Sequence, residues 1–233
     1  MNIQFLGHAG VMLQTERHRI IIDPFLTDNP KAGASAKEIK ADFVLLTHGH
    51  SDHIGDAVQI AKNNDAPIIT IVELADYLGR QGAQTIGMNL GGSGTFEFGT
   101  IKWVPALHSS SVTESDGTII YLGNPAGIVL QVDDFTLYHA GDTALFSDMK
   151  LIGERFKPDV AFLPIGSFFT MDPEDALLAA QWVKAKHIVP IHYNTFPVIE
   201  QDGAQFVNQL KVLGIHGYAL QPGESLNTDE LNK

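Results

Sequence analysis

The sequence predicts an α/β fold of two β-then-α halves, with two mixed sheets packed face to face and helices outside. Three observations predict it. Short apolar runs recur, each ending at a polar, glycine- or histidine-bearing segment. Between them lie stretches whose apolar residues fall at helical spacing. The second half repeats the order of the first, with no linker that would divide two independent cores. At 233 residues, with 44% hydrophobic and 18% charged content, the chain reads as one domain, 1–233, able to bury a core.

In chain order, Ile3 to Leu6, Val11 to Gln14 and Ile20 to Ile22 read as strands, separated by Gly7-His8-Ala9-Gly10 and Glu16-Arg17-His18. Pro24 cannot continue a ladder, so Asp23 sits at a strand mouth. An Ala/Lys-rich stretch to Lys40 is expected to be a loop with a short helix. Phe43 to Leu46 is a buried strand, and Ile54, Ala57, Val58 and Ala61 mark a helix stopped at Asp65-Ala66-Pro67. Ile68 to Val72 follows as a strand and Leu74 to Leu78 as a short helix. Strands with a turn at Gly91 to Gly94 fill 84–107. Residues 109–127, rich in Ser, Gly and Thr, are expected to form a long loop next to the site, either a lid or specificity element or a strand-to-strand excursion with no contact to substrate. Ile128 to Val132 and Phe135 to Tyr138 make a hairpin around Asp133-Asp134, and Val160 to Pro164 is a strand. Asp172 caps a helix with Pro173 at its first position. Ile188 to His192 is a strand running into a histidine. A helix carrying Phe206, Leu210 and Leu213 and a strand near Tyr218 to Leu220 close the domain. The polar tail after Ser225 is expected to fray.

Composition excludes some classes. With 27 acidic and 15 basic residues the net charge is −12, which disfavours nucleic acid as a partner, since phosphate backbones are bound by Lys and Arg. A small anionic substrate stays open, because bound cations reverse the local sign. No run of roughly 18 apolar residues suggests a membrane span. The N-terminus opens on a strand pattern rather than a leader, so a cytoplasmic location is expected. Cysteine is absent, which removes disulfides and thiolate ligands. A homo-oligomer is compatible with the sequence.

The chemistry concentrates in Thr47-His48-Gly49-His50-Ser51-Asp52-His53, directly after a buried strand. Alternate residues of an extended segment face one way, so His48 and His50 can reach one ion together. Asp52 and His53 lie past a turn and point elsewhere, which suggests two adjacent ions. Metal-competent residues recur after later strands as His108, Asp142 and His192. The reading gives His48, His50 and His108 to one ion and Asp52, His53 and His192 to the other, with Asp142 shared. The cofactors are then two divalent ions, zinc first, with Mn2+, Fe2+ or Ni2+ also admitted by these donors.

This segment is similar to the HxHxDH signature of the metallo-β-lactamase superfamily, and Asp23, His108, Asp142 in Ala140-Gly141-Asp142-Thr143, and His192 follow in that family's order. Gly7-His8-Ala9, Pro164-Ile165-Gly166 with Phe169-Thr170-Met171, and the segment Pro190 to Pro197 resemble its small prokaryotic metal-dependent hydrolases, close to ascorbate-6-phosphate lactonase-like proteins. The resemblance covers nearly the whole chain. It implies an αββα four-layer sandwich with a dinuclear site at one edge of the two sheets. The thiolate ligand of several true β-lactamases has no counterpart here. His50 stands where flavodiiron members carry glutamate, and no RNA-binding arm is present.

The expected activity is hydrolysis of an ester-type bond, a lactone or phosphodiester, in a small substrate, by a hydroxide held between the ions. Asp52 would orient the nucleophile and shuttle its proton. Asp23 either holds a ligand histidine by hydrogen bond or caps the turn before Pro24. His8 can meet substrate, protonate the leaving group, or be a plain turn residue. Thr170 and Tyr193 are pocket candidates by position. His139 reads as structural, Phe168, Phe169 and Met171 as lining for a substrate pocket or, more often for such an apolar cluster, as core, and His18, His187 and His216 as surface or strand-end residues. The rival readings are a nuclease on the same fold and a non-catalytic protein stapled by metal.

Overall fold

The structure is a computed structural model and describes residues 1–231. The chain divides into two compact units. The first comprises Met1–Gly92, Ser109–Pro125 and the segment from Gln221 onward; the second comprises Ser93–His108 and Ala126–Leu220.

The first unit contains β1 (Asn2–Gly7), β2 (Gly10–Gln14), β3 (Arg19–Ile22), β4 (Phe43–Leu45), β5 (Ile68–Ile71), β6 (Thr85–Met88) and β16 (Ser225–Asn227). They form one sheet in the order β16-β1-β2-β3-β4-β5-β6. Pairing is antiparallel from β16 to β3 and parallel from β3 to β6. The register puts Met12, Ile21, Val44 and Ile68 in one row across four strands, and Val11, Ile22, Leu45 and Ile69 in the row on the other face. Both rows are buried. This is why Ile20-Ile21-Ile22 is uniformly apolar: a strand covered on both faces has no solvent side to make polar. Helices α2 (Ala57–Asn64) and α3 (Val72–Arg80) cover the first row with Ala57, Ile60, Ala61, Leu74 and Leu78. Short α1 (Ser51–Ile54) precedes them, and α7 (Thr228–Leu231) ends the described chain.

The second unit contains β7 (Ser93–Phe96), β8 (Gly99–Pro105), β11 (Ala126–Val132), β12 (Phe135–His139), β13 (Val160–Pro164), β14 (His187–Ile191) and β15 (His216–Gly217), in the order β15-β14-β13-β12-β11-β8-β7. Here β12 to β15 are parallel and β7, β8, β11 and β12 antiparallel. Val129, Tyr138, Ala161 and Ile188 form a row. Helices α4 (Met149–Phe156), α5 (Pro173–Val183) and α6 (Gly203–Val212) cover it. Asp172 caps α5 as expected, accepting from Asp175 N at 2.8 Å. Two mixed sheets, each with its own helices, fit the αββα sandwich.

Several expected elements differ. Residues 31–40 form turns without a helix. The 109–127 stretch is not one loop: β9 (Ser111–Thr113) and β10 (Ile119–Tyr121) pair as a hairpin whose Val112 and Ile120 pack on the helix-side core, and β11 begins at Ala126. Helix α4 was not expected, its buried face being only Met149, Ile152 and Gly153. The strand expected near Tyr218 to Leu220 is instead β15, His216–Gly217. The tail after Ser225 does not fray. β16 pairs with β1, Gln4 Nε2 donates to Gly223 O at 2.9 Å, and Met1 N donates to Thr228 Oγ1 at 3.0 Å. Residues 232–233 of that tail lie outside the described residues.

Leu226 is buried opposite Ile3. Leu226→Ala is expected to cost about 2–4 kcal/mol in urea unfolding. Val212→Ala, at a side chain 87% exposed, should stay within about 0.5 kcal/mol. Equal, near-zero effects would show that the C-terminal segment is not part of the sheet.

Candidate metal centre

In the first unit, β1 and β3 both run antiparallel to β2, and β4 runs parallel to β3, so β1, β3 and β4 end at one sheet edge. His8, Asp23 and Thr47 to His53 leave from that edge. His8 and Asp23 take left-handed backbone, with φ of 57° and 45°. Each costs on the order of 1 kcal/mol or more, and such strain gathers at functional sites. Gly49 admits a close approach, since a Cβ there would lie 2.6 Å from Leu122 Cδ1. After it the chain turns into α1, which carries Asp52 and His53 away from the direction of His48 and His50.

Asp23 is fully buried and uses both carboxylate oxygens. Oδ1 accepts from Thr47 N at 2.8 Å; Oδ2 accepts from Thr47 Oγ1 at 2.6 Å and from His53 Nδ1 at 2.8 Å. A carboxylate only accepts, so His53 carries its proton on Nδ1 and keeps the lone pair on Nε2. The Thr47 hydroxyl hydrogen is committed to Asp23, so its oxygen, 3.0 Å from His48 Nδ1, accepts from that nitrogen. His48 is therefore the same tautomer, with its Nε2 lone pair 2.9 Å from His50 Nδ1. One carboxylate thus fixes two imidazoles in the form that metal-ligating histidines take. The sequence signal for this role of Thr47 is its place between a buried strand and the first histidine.

His8 is buried, packed edge-on against Phe25 and His53, with Nε2 3.2 Å from Asp52 Oδ2. The ligand atoms of His8, Asp52 and His53 lie within 4.8 Å of one another. Ser109 Oγ stands 3.2 Å from His50 Nε2, and Ser110 Oγ accepts from Gly49 N at 3.0 Å. The base of the β9–β10 excursion therefore touches the histidine segment, next to the site as the sequence led us to expect, with Ser109 and Ser110 as the contacts.

In the second unit, β8, β12, β13 and β14 point the same way, β8 by way of antiparallel β11, and end at one edge. His108, Asp142, residues 165–171 and His192 leave there. Asp142 is 2% exposed and sets one oxygen, Oδ2, 3.0 Å from His192 Nε2 and 3.5 Å from His108 Nε2. His139 lies in the row of Ile128 and Phe162, stacked on Phe162, and accepts from Gly141 N at 3.1 Å. It props the turn that precedes Asp142. Gly166 cannot be replaced without a shift, because a Cβ there would stand 2.3 Å from His192 O.

Thr170 is partly exposed and its hydroxyl lies 3.5 Å from Met171 O. Tyr193 packs on the helix-side core with its hydroxyl against Gly203. Burial, and then the Asp202 carboxylate, raise its phenol above the ordinary range. Of the cluster expected as pocket lining or core, Phe168 and Phe169 are not core, being 69% and 51% exposed and meeting edge to face, while Met171 is buried. Ser167, with φ of 71°, turns this segment away from the sheet. His18 and His216 lie at turns and strand ends, and His187 is buried at the start of β14.

The donors gathered in each unit are imidazole nitrogens and carboxylate oxygens, with the lone pairs of His48 and His53 directed by a buried acid. That chemistry fits a divalent cation of borderline hardness.

The profile described as a beta-lactamase superfamily domain matches residues 18–193. A UPF0173 metal-dependent hydrolase of Geobacillus thermodenitrificans is 56% identical over 97% of this chain and 99% of its own length. Igni18, a metallo hydrolase from the archaeon Ignicoccus hospitalis, is 37% identical with a TM-score of 0.87, covering 97% of each chain. The metallo-β-lactamase fold protein YhfI from Bacillus subtilis, at 14% identity, shares the fold with a TM-score of 0.71 over 97% of this chain and 98% of its own. With its histidine motif, a mixed sheet in each unit and these relatives, the chain belongs to the metallo-β-lactamase superfamily as a metal-dependent hydrolase.

Proposed function

We propose that this hydrolase cleaves an ester-type bond, a lactone or phosphodiester, in a small substrate, using two divalent ions with zinc as the first candidate. His48, His50 and His108 are assigned to one ion, Asp52, His53 and His192 to the other, and Asp142 to both. The observation that carries this reading is the Asp23 network, in which one buried carboxylate readies two imidazoles as ligands. Asp142 supports it, with one oxygen within reach of two imidazoles.

When bound, the ions would supply an activated water and polarise the electrophile. The chain's own residues do the rest. Asp52 orients the attacking water and takes its proton, and His8 steadies the Asp52 carboxylate through Oδ2. Water adds to the carbonyl or phosphorus centre, the ester bond breaks, and the leaving oxygen departs with a proton. The net charge of −12 favours a small substrate over a polyanion.

Turnover of a panel of lactones, phosphodiesters, amides and thioesters by metal-replete protein tests the bond class. Activity confined to amides or thioesters, or none at all, would count against the proposal. Purified protein is expected to hold about two ions per chain by elemental analysis. His50→Ala should lose metal and activity together, activity by on the order of 100-fold or more. Full activity at low metal content would sink the mechanism. Asp23→Asn, which cannot accept from both Thr47 and His53 at one charged oxygen, should weaken metal binding roughly 10- to 100-fold with the fold retained, as judged by chelator competition and circular dichroism.

A further inference from the structure

We infer that Thr143 is a positioning residue for the metal centre, its hydroxyl setting the spacing between His108 and Asp142; this rests on the ligand assignment above. Thr143 directly follows Asp142 and is fully buried. Leu107, the residue before His108, is clamped at two points. Leu107 N donates to Thr143 Oγ1 at 3.0 Å, and Ala144 N donates to Leu107 O at 3.0 Å. The hydroxyl hydrogen is directed to Ala144 O at 2.7 Å, so Oγ1 is oriented to accept from Leu107. The Thr143 carbonyl takes a third segment, accepting from Met171 N at 3.1 Å.

Three loops from the edge of one sheet therefore meet on a single residue: the one bearing His108, the one bearing Asp142, and the one bearing Phe168 and Phe169. Each of the first two is one peptide away from a metal-competent side chain. A backbone fixed on both sides of that gap holds His108 Nε2 and Asp142 Oδ2 at 3.5 Å, without relying on the ion to gather them. Neither Thr143 nor Leu107 has a side chain that ligates metal well, so their effect passes through geometry alone. Replacing the hydroxyl by a methyl leaves the Leu107 N–H without its acceptor in a partly buried place and frees the His108 loop.

The test compares Thr143→Val, which removes the hydroxyl at nearly constant shape, with Thr143→Ser, which keeps the hydroxyl and loses the methyl. Metal affinity is read by competition with a chromophoric chelator, Co2+-loaded protein gives a visible spectrum, and thermal unfolding of metal-stripped protein reports the fold. The expected result is about 10- to 100-fold weaker metal binding and an altered Co2+ spectrum in Val. Ser should bind within about threefold of wild type, whatever its loss of thermal stability. If Val binds as tightly as wild type, or if Ser loses affinity as Val does, the residue acts by packing and the inference fails. Should Val not fold, the Ser result alone decides. Wild-type protein that holds no metal would overturn the ligand assignment itself, which distinguishes that failure from failure at Thr143.

Discussion

Asp23 takes a carboxylate out of water at the mouth of β3, and most of the local order follows from satisfying it. An unpaired charge in that place would be costly enough to prevent folding. The backbone enters a left-handed conformation there, and Asp23 N is held by Leu45 O of the neighbouring strand at 3.0 Å. The side chain is thereby aimed across the end of β4, where Thr47 and His53 supply three donors. The same geometry that neutralises the cost of burial also decides which ring nitrogen of two histidines bears hydrogen. Folding and readiness for metal are one event at this residue.

Each unit uses the same device. Parallel strands release their following segments at one edge, and the chemistry sits in the first residues past the ladder. Left-handed residues occur there in both: His8 and Asp23 in the first, Ser167, His192 and Asn194 in the second. Tight passages are made by glycine, at Gly49 and at Gly166. The histidines and acids are therefore held by backbone that is itself paired or strained, rather than by freely rotating loops. This suits a site that must present several donors at fixed separation.

Much of this was legible in the residues. Strands buried on both faces announce themselves as continuous apolar runs, so Ile20–Ile22, Phe43–Leu45 and Val160–Pro164 could be read directly. The histidine motif carried its chemistry in its spacing, and the Asp172-Pro173 start of α5 in its capping residues. What escaped reading depends on partners far along the chain. Ser225–Asn227 is a strand only because β1 offers an edge, and Ser111–Tyr121 is a hairpin because Val112 and Ile120 find the core under α2 and α3. The exposure of Phe168 and Phe169 follows from a backbone turn at Ser167 that an apolar cluster does not foretell. Whether Asp23 was a cap or a histidine's partner could not be decided from a dipeptide. The hydrogen bonds through Thr47 show a relay that no spacing rule encodes.

The pairing of β1 with β16 bears on biosynthesis. Met1 and Thr228, joined by hydrogen bonds in both directions, are separated by 227 positions. A ribosome delivers β1 first and its outer neighbour only after both units have otherwise been made. Through that interval Asn2–Gly7 presents a row of open peptide groups on one side, with Ile3 and Phe5 among them, and such an edge is a template for pairing with another nascent chain. The first sheet is therefore complete only once Ser225–Asn227 has been captured along β1.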